Sequence, residues 1–272
     1  MLKSNLVQLP AFARSFLFVN LLLFIAIFAN ANILVLNGLT HETLSQAGDK
    51  YRERIEVQNN GTEKKEVKIY IRDYWFSYTG ESRHDEPGTQ ERSNAKWITY
   101  SPQLITLGPN EKGFIDFEVT VPSDDSLQGT YWSVIMVEGV VPPDTTASVG
   151  GVKINTAIRY AIQVITNIGE TAKRDLQFIG LELAGDGGQK ILNVAMKNTG
   201  DYILKPEMSL EIFDAEGNSA GVFKADRRKT FPGTSITSSI ILEGIKPGNY
   251  TAILVADCDE DHIYGTNLSL EI

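Results

Sequence analysis

The chain has 272 residues, 42% hydrophobic and 22% charged, with a net charge of −9. That balance suits one large or two medium globular cores and excludes a disordered or collagen-like chain. The acidic excess argues against general attraction to nucleic acid or anionic lipid, and a single cysteine, Cys258, excludes an intramolecular disulfide.

Lys3 and Arg14 precede an apolar run from Phe16 to Phe28, interrupted by Asn20, and Ala29-Asn30-Ala31 follows. A basic start, an apolar core and a small-x-small ending describe a secretory signal peptide over residues 1–31. The run is short for the ~20 residues of a membrane span. Cleavage after Ala31 removes two basic and no acidic residues, which takes the net charge to −11. An exported protein without disulfides is held by its core alone, which suits a bacterial periplasm or cell surface. In such a setting the triplets at Asn60, Asn249 and Asn267 that match glycosylation acceptors carry no meaning.

The remainder reads as strand and turn. "ILVLNGLTHETL" is the first strand, and "KYRERIEVQNNG" alternates and stops at Asn-Asn-Gly. "KKEVKIYIRDYWF", "GFIDFEVTVP" and "GTYWSVIMVEG" alternate again, and no window of 12 residues holds a 3.6-residue apolar period. Residues 77–97 are polar with Gly and Pro, so they read as an exposed loop, and "VVPPDTTASVGG" reads as a flexible one. From Val152 to Ile168 every second residue is apolar or β-branched, which predicts one unusually long strand. The second half repeats the plan: Asn-x-Gly recurs in "KNTG", and Gly-x-Tyr recurs at Gly129/Tyr131 and Gly248/Tyr250. A Tyr at that place packs its ring inside and bonds its hydroxyl to upstream backbone. The expected fold is all-β: two immunoglobulin-like β-sandwich domains in tandem after the signal peptide, over 32–168 and 169–272. The long strand, 152–168, closes the first domain and runs on toward the second, fixing the angle between them beside a cleft.

Candidate chemistry is sparse. His41, His84 and His262 stand in no metal-binding spacing, and no nucleophile elbow, P-loop or dinucleotide fingerprint occurs. Asp257, Asp259 and Asp261 alternate near His262, but the cluster lacks the glycine and glutamate of a calcium loop and reads as a turn. Cys258, among acids at the end of a strand, reads as inert. Trp75, Trp97 and Trp132 read as packing residues, with sugar binding through an exposed Trp beside residues 76–97 as a lesser alternative. The sequence predicts no enzyme, no metal and no cofactor.

In layout the mature chain resembles the PapD-like periplasmic chaperones of pilus assembly. "YRERIEVQNNG", "VKIYIRDYW", "WITYSPQLITLGPNEKGFIDFEVTVP", "YWSVIMVEGV" and "INTAIRYAIQV" carry the resemblance. A weaker similarity is to WxL-interacting and other bacterial surface Ig-like proteins. The first resemblance implies a non-enzymatic accessory protein that binds an exported partner subunit, pilin-like or a surface protein, by edge-strand pairing. It implies that Ile154, Ile158 and Ile162 of the long strand face the partner. It also implies that Arg159 stands where a chaperone Lys would hold the partner's terminal carboxylate. The first strand lacks the companion Arg and offers only His41, with Arg52 and Arg54 on the next strand as substitutes. The alternative is a structural or adhesive surface protein, or a carbohydrate-binding module.

Overall fold

The structure, a computed structural model, describes residues 33–140, 158–185, 189–259 and 261–272. Ile154, the expected signal peptide and the Pro-Pro to Gly-Gly loop lie outside the described residues.

Ten strands build the first part of the chain: β1 (Ile33–Val35), β2 (Thr40–Ser45), β3 (Lys50–Asn59), β4 (Lys65–Phe76), β5 (Ser82–Asp85), β6 (Ile98–Ser101), β7 (Leu104–Leu107), β8 (Lys112–Thr120), β9 (Gly129–Gly139) and β10 (Arg159–Ile168). They form two facing sheets, β1-β3-β8-β6 and β2-β10-β9-β4-β5, with β7 also on β4. Period-two alternation sends Ile55, Val57, Ile69, Ile115, Phe117, Ile135 and Ile162 between the sheets as one core. Burying each such side chain stabilises by about 1.5–3 kcal/mol.

Seven strands follow: β11 (Leu176–Ala184), β12 (Lys190–Asn198), β13 (Glu207–Phe213), β14 (Ser219–Ala225), β15 (Ser235–Leu242), β16 (Asn249–Asp259) and β17 (His262–Glu271). They make the sheets β11-β12-β15 and β14-β13-β16-β17, which enclose a second core around Leu192, Val194, Met196, Leu210, Ile240 and Leu254. Among the described residues no helix is long and apolar enough to cross a membrane.

The repeat has a physical basis. Asn59 and Asn198 end β3 and β12, both fully buried. Each accepts from the glycine two residues on, Gly61 N–H at 3.0 Å and Gly200 N–H at 2.9 Å. Each Nδ2 then donates to a distant carbonyl, Leu107 at 3.1 Å and Thr230 at 3.0 Å. One amide thus satisfies a tight turn and stitches it to a later segment, as a buried polar group must. The Tyr pair diverges: Tyr250 donates its hydroxyl to the Lys246 carbonyl at 3.0 Å, whereas the Tyr131 ring lies between Trp97 and Arg92.

Three expectations need correction. The first strand is two strands in different sheets: β1 pairs antiparallel with β3, and β2 pairs parallel with β10. Gly38, at φ 93°, lies in the crossing between them. Residues 77–97 are not a plain exposed loop. β5 pairs with β4, and Asp73, 1% exposed, accepts from the N–H groups of Gly88, Thr89 and Gln90 and from the Ser93 hydroxyl. The long strand does not continue into the second sandwich. β10 ends at Ile168, Gly169 follows at φ 65°, and β11 begins at Leu176.

The two sandwiches meet through side chains and backbone. Trp132 stacks on Phe231 with ring centroids 4.8 Å apart, and Ile165 and Ile203 complete a small apolar cluster. Trp132 Nε1 donates to the Tyr74 carbonyl at 2.7 Å. Thr130 N–H donates to the Asp201 carbonyl at 2.8 Å, and Thr130 Oγ1 accepts from Ile203 N–H at 2.8 Å. Gly129 sits so close that a Cβ there would meet the Asp201 oxygen at 2.0 Å. Glu42 on β2 is held by Lys205 at 2.9 Å and lies 3.6 Å from Lys229.

A candidate partner-binding cleft

β10 is internal for only part of its length. β9 covers it from Arg159 to Ile168, but β2 joins it only from Gln163 onward. The Ile158 carbonyl accepts from Gly139 N–H, and Gln163 N–H donates to the Leu39 carbonyl at 2.9 Å. Backbone groups alternate sides along a strand, so even residues bond toward β9 and odd ones toward β2. The N–H and C=O of Arg159 and Ala161 therefore point to a side where, among the described residues, no strand stands.

The outer face of this sheet forms a graded surface beside that open stretch. Strand register places Lys68, Glu138 and Arg159 in one row, Tyr70, Met136 and Ala161 in the next, and Arg72, Val134 and Gln163 in a third. Arg159 donates to Glu138 at 3.0 Å, and the Tyr70 hydroxyl donates to the other Glu138 oxygen at 2.6 Å. The Tyr70 bond, then Arg159, hold the Glu138 carboxyl below its usual range despite partial burial. Lys68 and Arg72 lie over the Tyr70 ring at 5.3 and 5.5 Å. His84 on β5 stacks on Tyr74; burial first, then the Arg159 charge, lowers its pKa and favours the neutral ring.

Below these rows the face turns toward the second sandwich and a cleft of about 430 Å³ opens. Tyr74, Phe76 and Gln163 line one wall and Arg228, Lys229 and Thr237 the other. Arg228 is exposed and donates one bond, to the Thr237 carbonyl at 2.6 Å. The cleft thus brings cations from the second half of the chain to the strand from the first. A second hollow of about 450 Å³ includes Trp75, Trp132 and Lys197. Arg83 lies over the Trp75 ring at 4.3 Å, Trp97 packs on Tyr131, and Trp132 is buried, so each tryptophan has a packing partner.

The predicted site residues separate. Ile158 is exposed at the open stretch, and Arg159 lies beside it on the cleft side of the sheet. Ile162 is corrected: it is 0% exposed, inside the first core beside Ile135 and Val164, because the even row of β10 turns inward. Ile154 lies outside the described residues. His41 is also no anchor: its Nδ1 bonds the Glu53 carboxylate and its ring meets Phe117 edge-on, between the sheets. Arg52 and Arg54 pair with Glu118 and Asp116 on β8, in the other sheet. Tyr70, Arg72, Gln163, Arg228 and Lys229 emerge only from the fold. At the far end of the chain, Asp259 accepts from His262 Nδ1 at 2.6 Å and from Asp261 N–H at 3.1 Å, as a turn does. Burial, then Asp259 and Asp257, push the Cys258 thiol up to about 12.

No protein-family profile and no curated protein matches the chain. Solved structures similar to it include PapD-like fimbrial chaperones. The class 5 fimbriae chaperone CfaA is 13% identical, with 88% of this chain and 98% of that one covered and a TM-score of 0.46. A chaperone–tip adhesin complex of CFA/I fimbriae biogenesis matches at 14% identity over the same shares, also at 0.46. The YadV chaperone matches at 15% identity, covering 88% of this chain and all of that one, at 0.41.

Proposed function

We propose that this is an exported, non-enzymatic accessory protein of chaperone type. It binds an extended segment of a partner subunit that is itself exported, pilin-like or from another surface structure. The observation that carries this reading is the open stretch of β10, where the Arg159 and Ala161 backbone groups face outward above the cleft. A strand added there takes its affinity from backbone bonds and its selectivity from the flanking side chains. Ile158 is the exposed apolar contact. Arg159, Arg72 and, deeper in the cleft, Arg228 and Lys229 offer charge to an acidic group on the partner. Residues 1–31 act as the export signal, which places the mature protein in the periplasm or at the cell surface, with its domains over 32–168 and 169–272.

Ala161→Pro tests the reading. It removes an N–H that points away from β9, so the existing ladder keeps its bonds. The expected result is loss of the exported subunit that co-purifies with the tagged wild type, with an unchanged melting temperature; Ala161→Val retains it. If Ala161→Pro melts as wild type and captures the same subunit in the same amount, the open stretch is not the binding surface.

A further inference from the structure

The second sandwich closes on one flank, where β14 packs on β15, and opens on the other between β11 and β17. Each of these two strands is the last in its sheet. A slot of about 250 Å³ lies between them, lined by five leucines, Leu181, Leu183, Leu192, Leu268 and Leu270, with Ser269 and Glu271 at its polar side. Gly248 and Ile272 exchange both backbone bonds at 3.0 Å. Alternation from that pair directs the N–H and C=O of Ile263, Gly265, Asn267, Ser269 and Glu271 away from β16. Natural sheet edges are blunted by Lys, Pro, bulges or shortness. β11 carries Glu182 and a bulge between Phe178 and Gly180. β1 and β5 are short, at three and four residues. β17 is less guarded: the eight residues from Ile263 to Leu270 include no Lys, Arg, Asp, Glu or Pro, the register shift in its pairing falls on the β16 side between Asp257 and Asp259, and its acidic residue, Glu271, stands at the strand's end.

We propose that β17 is a self-association edge, and that its occupant is β17 of a second copy, antiparallel about a two-fold axis at Asn267. The strand fits itself. A two-fold normal to the sheet keeps each face on its own side, so residues of like parity must oppose. Centring on Asn267 pairs Ile263 with Glu271 and Gly265 with Ser269. Every outward backbone group of both strands then finds a partner. On the inner face the same register sets Tyr264 opposite Leu270 and Thr266 opposite Leu268, which extends the apolar cover over the slot. No like charges face each other. The contact is isologous, so it closes at two copies instead of growing into a fibre, and it joins two four-stranded sheets into one. It lies on β17, away from β10.

The test is sedimentation of the mature chain over a concentration series. The wild type is expected to pass from one copy to two, and Asn267→Pro, which removes the N–H at the axis, to stay at one copy with an unchanged melting temperature. Ser269→Lys, an exposed guard, is expected to do the same, so a failure of the proline variant to fold leaves the question answerable. In a Cys258→Ser background, Asn267→Cys is expected to form an interchain disulfide on mild oxidation, because opposed residues of a hydrogen-bonded antiparallel pair lie ~5.5 Å apart at Cα. A wild type that stays at one copy to millimolar concentration overturns the proposal. So does a dimer that survives both edge variants.

Discussion

Ile162→Ala separates a core role from a partner-facing one on the same strand. Ile162 is fully buried between the sheets, packed with Ile135 and Val164, whereas Ile158, one repeat of four earlier on the same row, is 37% exposed. Truncating a fully buried isoleucine removes three carbons and leaves a cavity, which costs about 2–5 kcal/mol. Ile158→Ala removes the same atoms from a site with little to lose, at about 0.5 kcal/mol or less. With a urea slope of roughly 1–3 kcal/mol per M, a cost of about 3 kcal/mol lowers the first sandwich's midpoint by ~1–3 M. Equilibrium urea unfolding followed by tryptophan fluorescence reads this directly, since Trp132 lies at the end of the same sheet. A shift below ~0.5 kcal/mol for Ile162→Ala would refute the assignment of the inward row, and with it the outward direction of the Arg159 and Ala161 backbone.

Three further outcomes follow from the geometry and a fourth from the sequence. Asn59→Ala leaves the Gly61 N–H and the Leu107 carbonyl unpaired in the interior and is expected to cost about 2–4 kcal/mol, with Asn198→Ala costing the same in the second sandwich; thermal melts check both. Phe231→Ala removes the ring stacked on Trp132 and is expected to broaden the interdomain distance distribution in small-angle scattering while leaving far-ultraviolet circular dichroism unchanged. Glu42 is partly buried, which raises its pKa, but the bond and charge of Lys205, with Lys229 and Asn167, bring it below the usual carboxylate range. A depressed carboxyl stabilises above its unfolded pKa and loses that contribution as pH falls through the folded value. The contact between the halves should therefore weaken only in acid, below about pH 4, and Glu42→Gln should flatten that dependence in a pH series of Trp132 fluorescence. Finally, with residues 1–31 acting as the proposed export signal, the intact mass of the mature protein is expected to match a chain beginning at Asn32.

Much of the fold was legible because alternation is a local property. Ile55 and Val57, or Leu210 and Ile212, mark their inward rows with no knowledge of what they face. Asn-x-Gly was also legible, since the glycine turn and the amide that caps it lie two residues apart. The crossing of the first strand between sheets was not, because Gly38 alone does not distinguish a kink from a change of sheet. Asp73 did leave a trace: it continues the inward row of Ile69 and Ile71, and a carboxylate on a core row needs donors from somewhere. Residues 88–93 supply them. The direction of the long strand's rows depends on the sheet it joins, and where along one row the core ends depends on the neighbouring strands, which is why the sequence could not tell buried Ile162 from exposed Ile158. The cleft cations were beyond reach for another reason. Arg228 and Lys229 sit in a connection between strands of the second sandwich, and they reach β10 through the contacts between the sandwiches, such as Phe231 on Trp132 and Lys229 beside Glu42.

Gly129 carries a consequence for the order of events during synthesis. Its Cα lies against the Asp201 carbonyl, and the next residue donates to that same oxygen. A chain made from its N-terminus completes β10 well before Asp201, Ile203 and Phe231 arrive. In that interval the first sandwich displays Trp132 and Ile165 as an uncovered apolar spot and leaves the Thr130 amide bonded to water alone. The nascent molecule is therefore sticky at the place where the finished one is closed. Arrival of the second sandwich is the step that makes the product safe to release.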